Sequence, residues 1–457
     1  MKVTCRTSAK YLTSILLFIQ FHAYSQLDLS GQLRTRTEYR QGQGTLLAKD
    51  AEPAFFTSQR SRLGIGYSGS RFRLYTAVQD VRVWGQDAST INRTTPDARN
   101  GLMMHEAWAD ISLLDTALWK GRMTLKIGRQ ELVYDDSRLL GNLDWLQQAR
   151  RHDMALLRFV YKNWRADTGA AFNQNSESTK ETKYNGVPTS GTYPAGTNGI
   201  GSMYKSLQFL HVRKMLSKGF FSILLIKDDF NRFYFDTTSR VLDEGVWSRI
   251  TTGINCTSSV AGKMSVLGSA FLQSGENKNG DDLSAWMLTI NASYKWATNL
   301  STTIGSDWTS GNDNTTATVD RRFDPLYGTP HKFWGYMDYF YVSSPFGTSG
   351  LKDYYIKLQI KARGGVTFNL DTHQFYTANV IKNDDGSQLK SRLGTEIDLI
   401  TSYPLTKEIG IEAGYCLMFA TRTMSSIYVK NVANADHQAN WAYVMVTVKS
   451  EYFRSSK

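Results

Sequence analysis

The stretch Leu27-Asp28-Leu29-Ser30-Gly31-Gln32-Leu33-Arg34-Thr35-Arg36-Thr37-Glu38-Tyr39-Arg40 decides the fold of this chain. Its odd positions are apolar or neutral and its even positions polar or charged, a period of two held well beyond the ~5 to 6 residues of an ordinary soluble strand. Successive side chains of a strand point to opposite faces, so one face is greasy and the other ionic. The pattern recurs. Leu63, Ile65 and Tyr67 alternate with Arg60, Arg62 and glycines, Phe72, Leu74, Thr76 and Val78 with Arg71, Arg73, Tyr75 and Gln79, and Tyr354, Ile356, Leu358 and Ile360 with Tyr355, Lys357, Gln359 and Lys361. A soluble sandwich would turn the ionic face to water, whereas a transmembrane barrel turns the greasy face to lipid and the charges to a wet lumen.

Connection lengths separate the two. Strand patterns begin near residues 27, 58, 70, 105, 122, 153, 163, 205, 219, 247, 263, 283, 298, 353, 366, 392, 408 and 440. Long gaps at 41–55, 85–103, 130–151, 173–203, 230–246, 310–352, 376–390 and 419–439 alternate with short ones. Outer-membrane barrels sort their connections into long outer loops and short periplasmic turns, and a sandwich has no reason to. The expectation is all-β: a transmembrane antiparallel β-barrel of about 18 strands, whose even count places both termini in the periplasm.

Composition agrees. Over 457 residues the aromatic content is 12%, with 36 glycines and only 8 prolines, which favours strands and turns. Mean hydropathy is −0.37, and beyond the N-terminal segment no apolar run approaches the ~20 residues of a spanning helix. Residues 1–25 read as a signal peptide: Lys2, Arg6 and Lys10, an apolar run from Tyr11 to Phe21, then Ala23-Tyr24-Ser25 as a small-x-small cleavage site. Residues 26–457 then form one outer-membrane β-barrel domain. Cleavage removes three basic and no acidic residues, lowering the formal charge from +12 to +9. Cys256 and Cys416 survive it and, in apolar strand patterns, read as two buried thiols rather than a disulfide.

Several motifs carry no chemistry. Gly64-Ile65-Gly66-Tyr67-Ser68-Gly69 matches a dinucleotide fingerprint, but a strand follows it where a helix is needed. His105, His152 and His331 show no metal-ligand spacing, and the oxygen-rich segment from Gly311 to Asp320 lacks the glycine and glutamate spacing of a calcium hand. No nucleophile and base pair stands out, so catalytic residues, cofactors and metals are expected to be none, and a nucleic-acid partner is not expected behind a signal peptide.

The informative constellation is ionic. Arg34, Arg36, Arg40, Arg60, Arg62, Arg71 and Arg73 fall on the polar parity of the first strands, with Lys357, Lys361, Arg363 and Arg392 later. A lipid-facing Arg or Lys near the midplane costs about 2–4 kcal/mol, so parity drives these side chains inward. Asp28, Glu38, Glu396, Asp398 and Glu412 share that parity and can pair with some of them. The net excess of cations makes an electropositive, anion-favouring pore.

Two segments go beyond pattern. Ile127-Gly128-Arg129-Gln130-Glu131-Leu132-Val133-Tyr134-Asp135-Asp136-Ser137-Arg138-Leu139-Leu140-Gly141-Asn142-Leu143-Asp144-Trp145, followed by Arg150-Arg151-His152-Asp153, resembles the signature of the alginate export porin family. So do Ser306 to Asp313 with Phe323 to Phe340, and Val78 to Gly85. The resemblance implies an eighteen-stranded outer-membrane barrel that exports a polyuronate through a lumen of arginine, lysine and carboxylates. Carried onto this sequence it implies a constriction at Arg129, Arg138 and Arg151 with Asp135, Asp136 and Asp144. Ala149-Arg150-Arg151 departs from the family's Gly-Arg-aromatic pattern and leaves open which arginine projects inward.

The functional expectation is passive passage of an anionic polysaccharide or oligosaccharide. The alternatives are a general or small-anion porin, or a plugged barrel binding glycans at the surface. Partners would be outer-membrane lipids, the barrel-assembly machinery and periplasmic export proteins. The longest connection, 310–352, is the candidate gate through Arg321, Arg322, His331, Trp334 and Tyr336. Its six aromatics between Phe333 and Tyr341 either pack as a belt at the lipid interface or fold inward and narrow the mouth.

Overall fold

A computed structural model describes residues 26–85, 102–114, 120–174, 177, 179–180, 184, 204–237, 239–313, 318–341 and 349–454. The proposed signal peptide lies outside these residues. The strands are β1 (Gln26–Gln41), β2 (Ala54–Ser68), β3 (Phe72–Val83), β4 (Met103–Ser112), β5 (Arg122–Gln130), β6 (His152–Tyr161), β7 (Trp164–Phe172), β8 (Ser206–Leu216), β9 (Gly219–Asp236), β10 (Ser239–Val260), β11 (Met264–Glu276), β12 (Asp282–Ala297), β13 (Leu300–Thr309), the two-residue β14 (Val319–Asp320), β15 (Leu351–Lys361), β16 (Thr367–Thr377), β17 (Arg392–Pro404), β18 (Ile409–Ala420) and β19 (Gln438–Arg454). Eighteen of them pair antiparallel in chain order, and β1 pairs with both β2 and β19. The sheet therefore closes on itself and leaves no edge, the one sheet form a bilayer tolerates.

Alternation fixes which face is which. On β1 the even residues Arg34, Arg36 and Glu38 are buried while Leu33 is exposed, and on β12 Met287 and Thr289 are buried while Leu288 and Ile290 are exposed. The exposed parity carries Leu63, Ile65, Leu225, Ile254, Ile304, Ile356 and Leu399, an apolar band of the kind lipid covers. Aromatics edge that band at both ends. Trp286, Trp308 and Tyr354 sit toward the long loops, with Trp164, Trp296 and Tyr403 toward the short turns.

The eighteen strand positions agree with those read from the sequence, and three details differ. Residues 230–246 are not a loop: β9 and β10 continue as a paired hairpin, Tyr234 opposite Val241 and Asp236 opposite Ser239. Residues 277–281, between β11 and β12, form a short connection on the long-loop side. Cys256 is exposed on the outward parity of β10 and only Cys416 is buried; both are free thiols. The Gly64–Gly69 motif is strand and turn, as expected.

Candidate pore constriction

Two long connections fold back inside the barrel. The first, residues 131–151 between β5 and β6, is held by the wall arginines. Arg34 Nε donates to Gln147 Oε1 at 2.9 Å, and Arg34 Nη1 and Arg60 Nη1 lie 3.3 and 2.8 Å from the Asp144 carboxylate. Arg36 binds Glu38 at 2.9 Å, donates to the Trp145 carbonyl at 2.9 Å and lies over its ring. Burial alone would raise the Asp144 pKa, but Arg60 and Arg34 hold it below the usual carboxylate value. Arg62 binds Gln79 at 2.8 Å.

Farther along, the same loop reaches other walls. Asp135 accepts from Arg213 at 2.6 Å, from Ser222 at 2.9 Å and pairs with His211 at 3.1 Å. Arg138 is buried, 3.1 Å from Asp136 and 2.6 Å from Asp307 of β13, with its guanidinium 3.9 Å from the Phe333 ring centroid. Contacts with β1, β2, β8, β9 and β13 place this loop across the lumen.

In the second connection, between β13 and β15, the described residues 318–341 also turn inward. Trp334, Met337, Tyr339 and Phe340 are almost wholly buried, together with wall residues Phe375, Met418 and Trp441. The inward placement of the aromatics is the one observed, and the lipid belt is not. Backbone groups dock it: the Met337 N–H donates to Glu396 at 2.7 Å and the Tyr336 N–H to Asp398 at 3.4 Å. At Gly335, φ is +83° and a Cβ would strike the Glu396 carboxylate, so this docking needs glycine. On the opposite wall Arg249 pairs with Asp228 and Asp324, and the Tyr327 hydroxyl donates to Asp228 at 2.7 Å.

The two loops are also bonded to each other. The Gly141 N–H donates to the Tyr327 carbonyl at 2.9 Å, the Tyr327 N–H to Leu139 at 3.0 Å and the Thr329 N–H to Ser137 at 2.8 Å. Trp145 stacks on His331 at 4.1 Å, and His331 pairs with Asp338 at 2.6 Å. Arg150 donates to the Gly328 carbonyl, so Arg150 is the inward arginine of the Arg150–Arg151 pair.

Some expected residues lie elsewhere. Arg129 shares the outward parity of Ile127 and makes a two-pronged pair with Asp153 at 2.7 Å. It is the penultimate residue of β5, at the long-loop end near the interface, where an outward charge costs only about 0–1 kcal/mol. Arg151 stays at the rim beside Met103. Arg363 lies in the exposed turn after β15, Arg71 in the turn before β3, and Arg392 is exposed on Thr395. Arg321 and Arg322 are exposed, with Arg322 bound to Asp320 at 2.8 Å, so neither joins the constriction. Lys357 pairs with Asp371 at 2.9 Å, while Lys361 and Arg73 are exposed toward the short-turn end.

A second cationic group was not expected from the sequence. Lys126, Arg158, Arg165 and Arg213 fall on the inward parity of β5–β8, where Arg165 and Arg213 stand opposite each other in register. Arg158 and Arg165 share the one carboxylate of Asp167, at 3.0 and 2.5 Å, and Tyr134 of the first loop donates to it at 2.8 Å. The three half-exposed arginines here, Arg158, Arg165 and Arg213, face two carboxylates, Asp167 and Asp135, while Lys126 stands opposite Asp110 of β4 in register. β6 reads Met-Ala-Leu-Leu-Arg-Phe-Val, apolar on both faces, so no alternation marks Arg158 as inward.

A closed eighteen-stranded barrel with an apolar outer band and charged loops folded into its lumen defines an outer-membrane channel of the porin type. A family model described as Alginate export matches residues 25–426, and the chain belongs to that family. No curated protein matches it in sequence. Among solved structures it is similar to OccAB4 of Acinetobacter baumannii, at 12% identity and a TM-score of 0.56, covering 94% of this chain and 99% of that one. It is also similar to OpdK of Pseudomonas aeruginosa, at 9% identity and 0.57, covering 94% and 99%, and to OpdO of the same organism, at 13% and 0.57, covering 93% and 98%. At such identities the likeness is one of fold. Membership of an export family and a closed barrel fold together make the protein an outer-membrane channel.

Proposed function

We propose that this channel passes an anionic saccharide of the polyuronate class by diffusion. The observation that carries the reading is the cluster of three half-exposed arginines, Arg158, Arg165 and Arg213, facing only two carboxylates beside the tip of the first inward loop. Guanidinium groups bind carboxylates through paired hydrogen bonds, and a row of them lets a polyanion exchange one site for the next. Asp167 and Asp135 neutralise part of the row, which keeps binding weak enough for release. Both termini are periplasmic in this reading, the membrane lipid contacts the apolar band, and the barrel-assembly machinery and periplasmic export proteins are the partners. Arg138, Arg34, Arg36 and Arg60 act as braces of the constriction rather than as substrate ligands.

Planar-bilayer recording tests this. Current through the wild-type channel is expected to be blocked by oligouronates at concentrations where neutral oligosaccharides of equal length do not block. Replacing Arg158 and Arg165 by Gln is expected to weaken that block by roughly tenfold or more, about 1.4 kcal/mol or above. Equal block by charged and neutral sugars would indicate a general porin, and glycan binding with no current would indicate a plugged surface module.

A further inference from the structure

A β-bulge on β4 assembles a second, separate cluster. Ala77 pairs with Glu106 and Val78 with Met104, so His105 is the extra residue on its strand. Strict alternation would send one of two consecutive side chains to lipid. The bulge instead turns both His105 and Glu106 away from the outer face, and such re-aiming is a common use of bulges. His105 is fully buried, its ring directed at Glu131, the first residue of the inward loop 131–151, with Nε2 2.7 Å from Oε1. Its Nδ1 has no partner among the described residues. The Glu106 carboxylate completes the group, accepting from the Glu131 N–H at 3.2 Å and Trp108 Nε1 at 3.0 Å. Ligand atoms of His105, Glu106 and Glu131 all lie within 4.8 Å of one another, the one such group among the described residues.

We propose that His105, Glu106 and Glu131 form a binding site for a divalent transition metal such as zinc, clamping the root of the first inward loop to the barrel wall. One imidazole and two carboxylates are a donor set suited to zinc, with a fourth position left for water. Asn142 Nδ2 donates to the second Glu131 oxygen at 2.7 Å, leaving Oε1 for the metal and fixing the carboxylate's orientation. Arg62 lies 3.8 Å from Glu131, beyond hydrogen-bond range, and spends its donors on Gln79 instead, so it lowers the affinity without occupying the ligand. Sequence spacing does not reveal this site, because Glu131 lies on the far side of a turn and strand from His105 and Glu106.

The test uses full-length, untagged protein folded in detergent, stripped with chelator and equilibrated with zinc chloride. One equivalent of zinc per chain is expected to be retained, with an X-ray absorption signature of one imidazole and oxygen ligands. His105→Gln and Glu106→Gln are each expected to lose affinity by at least about tenfold while keeping heat-modifiable migration. Should a variant fail to fold, the wild-type absorption spectrum still decides: a ligand shell without imidazole overturns the site. Retention well below one equivalent, or folded variants that bind as tightly as wild type, would also overturn it.

Discussion

Lys430, in the loop before β19, is buried and donates to the Tyr339 carbonyl, with its ammonium near the Tyr339 and Phe340 rings. Burial lowers its pKa from 10.5 to about 7. Between those values the undocked loop holds a proton that the docked loop lacks, so docking gains strength as pH rises through that window and is weakest below about 7. Hydrogen exchange of residues 421–437 is expected to show wild-type protection falling, relative to Lys430→Met, as pH drops from about 9 to about 7. Parallel curves for the two proteins would refute the assignment. Arg138 is the opposite case, a buried cation held by Asp307 and Asp136. Arg138→Met strands the Asp307 charge and is expected to cost roughly 3–5 kcal/mol of constriction stability, read as earlier proteolysis of residues 131–151. At this scale parity was a better guide than family signature. Lys126, Gly128 and Gln130 alternate with Leu125 and Ile127, which already puts Arg129 outward, and the structure agrees with parity. Arg158 was hidden for the converse reason, since its strand is apolar on both faces.

Strands were legible because lipid on one side and charge on the other impose opposite demands on alternate residues. The stretch Leu27–Arg40 is the clearest instance, and β6, apolar on both faces, is an exception. The hairpin extension of β9 and β10 escaped it: Phe233, Tyr234 and Phe235 stand consecutively there, with no greasy and ionic faces to alternate. Inward folding of residues 318–341 was open from sequence, because six clustered aromatics fit a lipid belt as well as a buried core. These two elements are expected to respond differently to deletion. Removing residues 312–338 takes away the Gly141–Tyr327 bonds and the Trp145–His331 stack, so conductance is expected to rise while the barrel still folds. Trimming residues 233–244 touches none of the constriction and is expected to leave conductance unchanged. An unchanged current after the first deletion, in a folded protein, would remove the second loop as the restriction.

The whole molecule is a charged lumen inside a greasy cylinder, with two loops bonded to the wall and to each other. Formal charge +9 after the proposed cleavage is not spread evenly, because Asp228, Asp307 and Asp144 are consumed in bracing the loops. Cations are left in excess on the β5–β8 wall, where fixed charge raises the local anion concentration. The most direct measurement of this account is the reversal potential of single channels under a potassium chloride gradient. A potential of the sign set by chloride, moving toward zero when Arg158, Arg165 and Arg213 are replaced by Gln, is the predicted result. A potential of the sign set by potassium in the wild-type channel would contradict it.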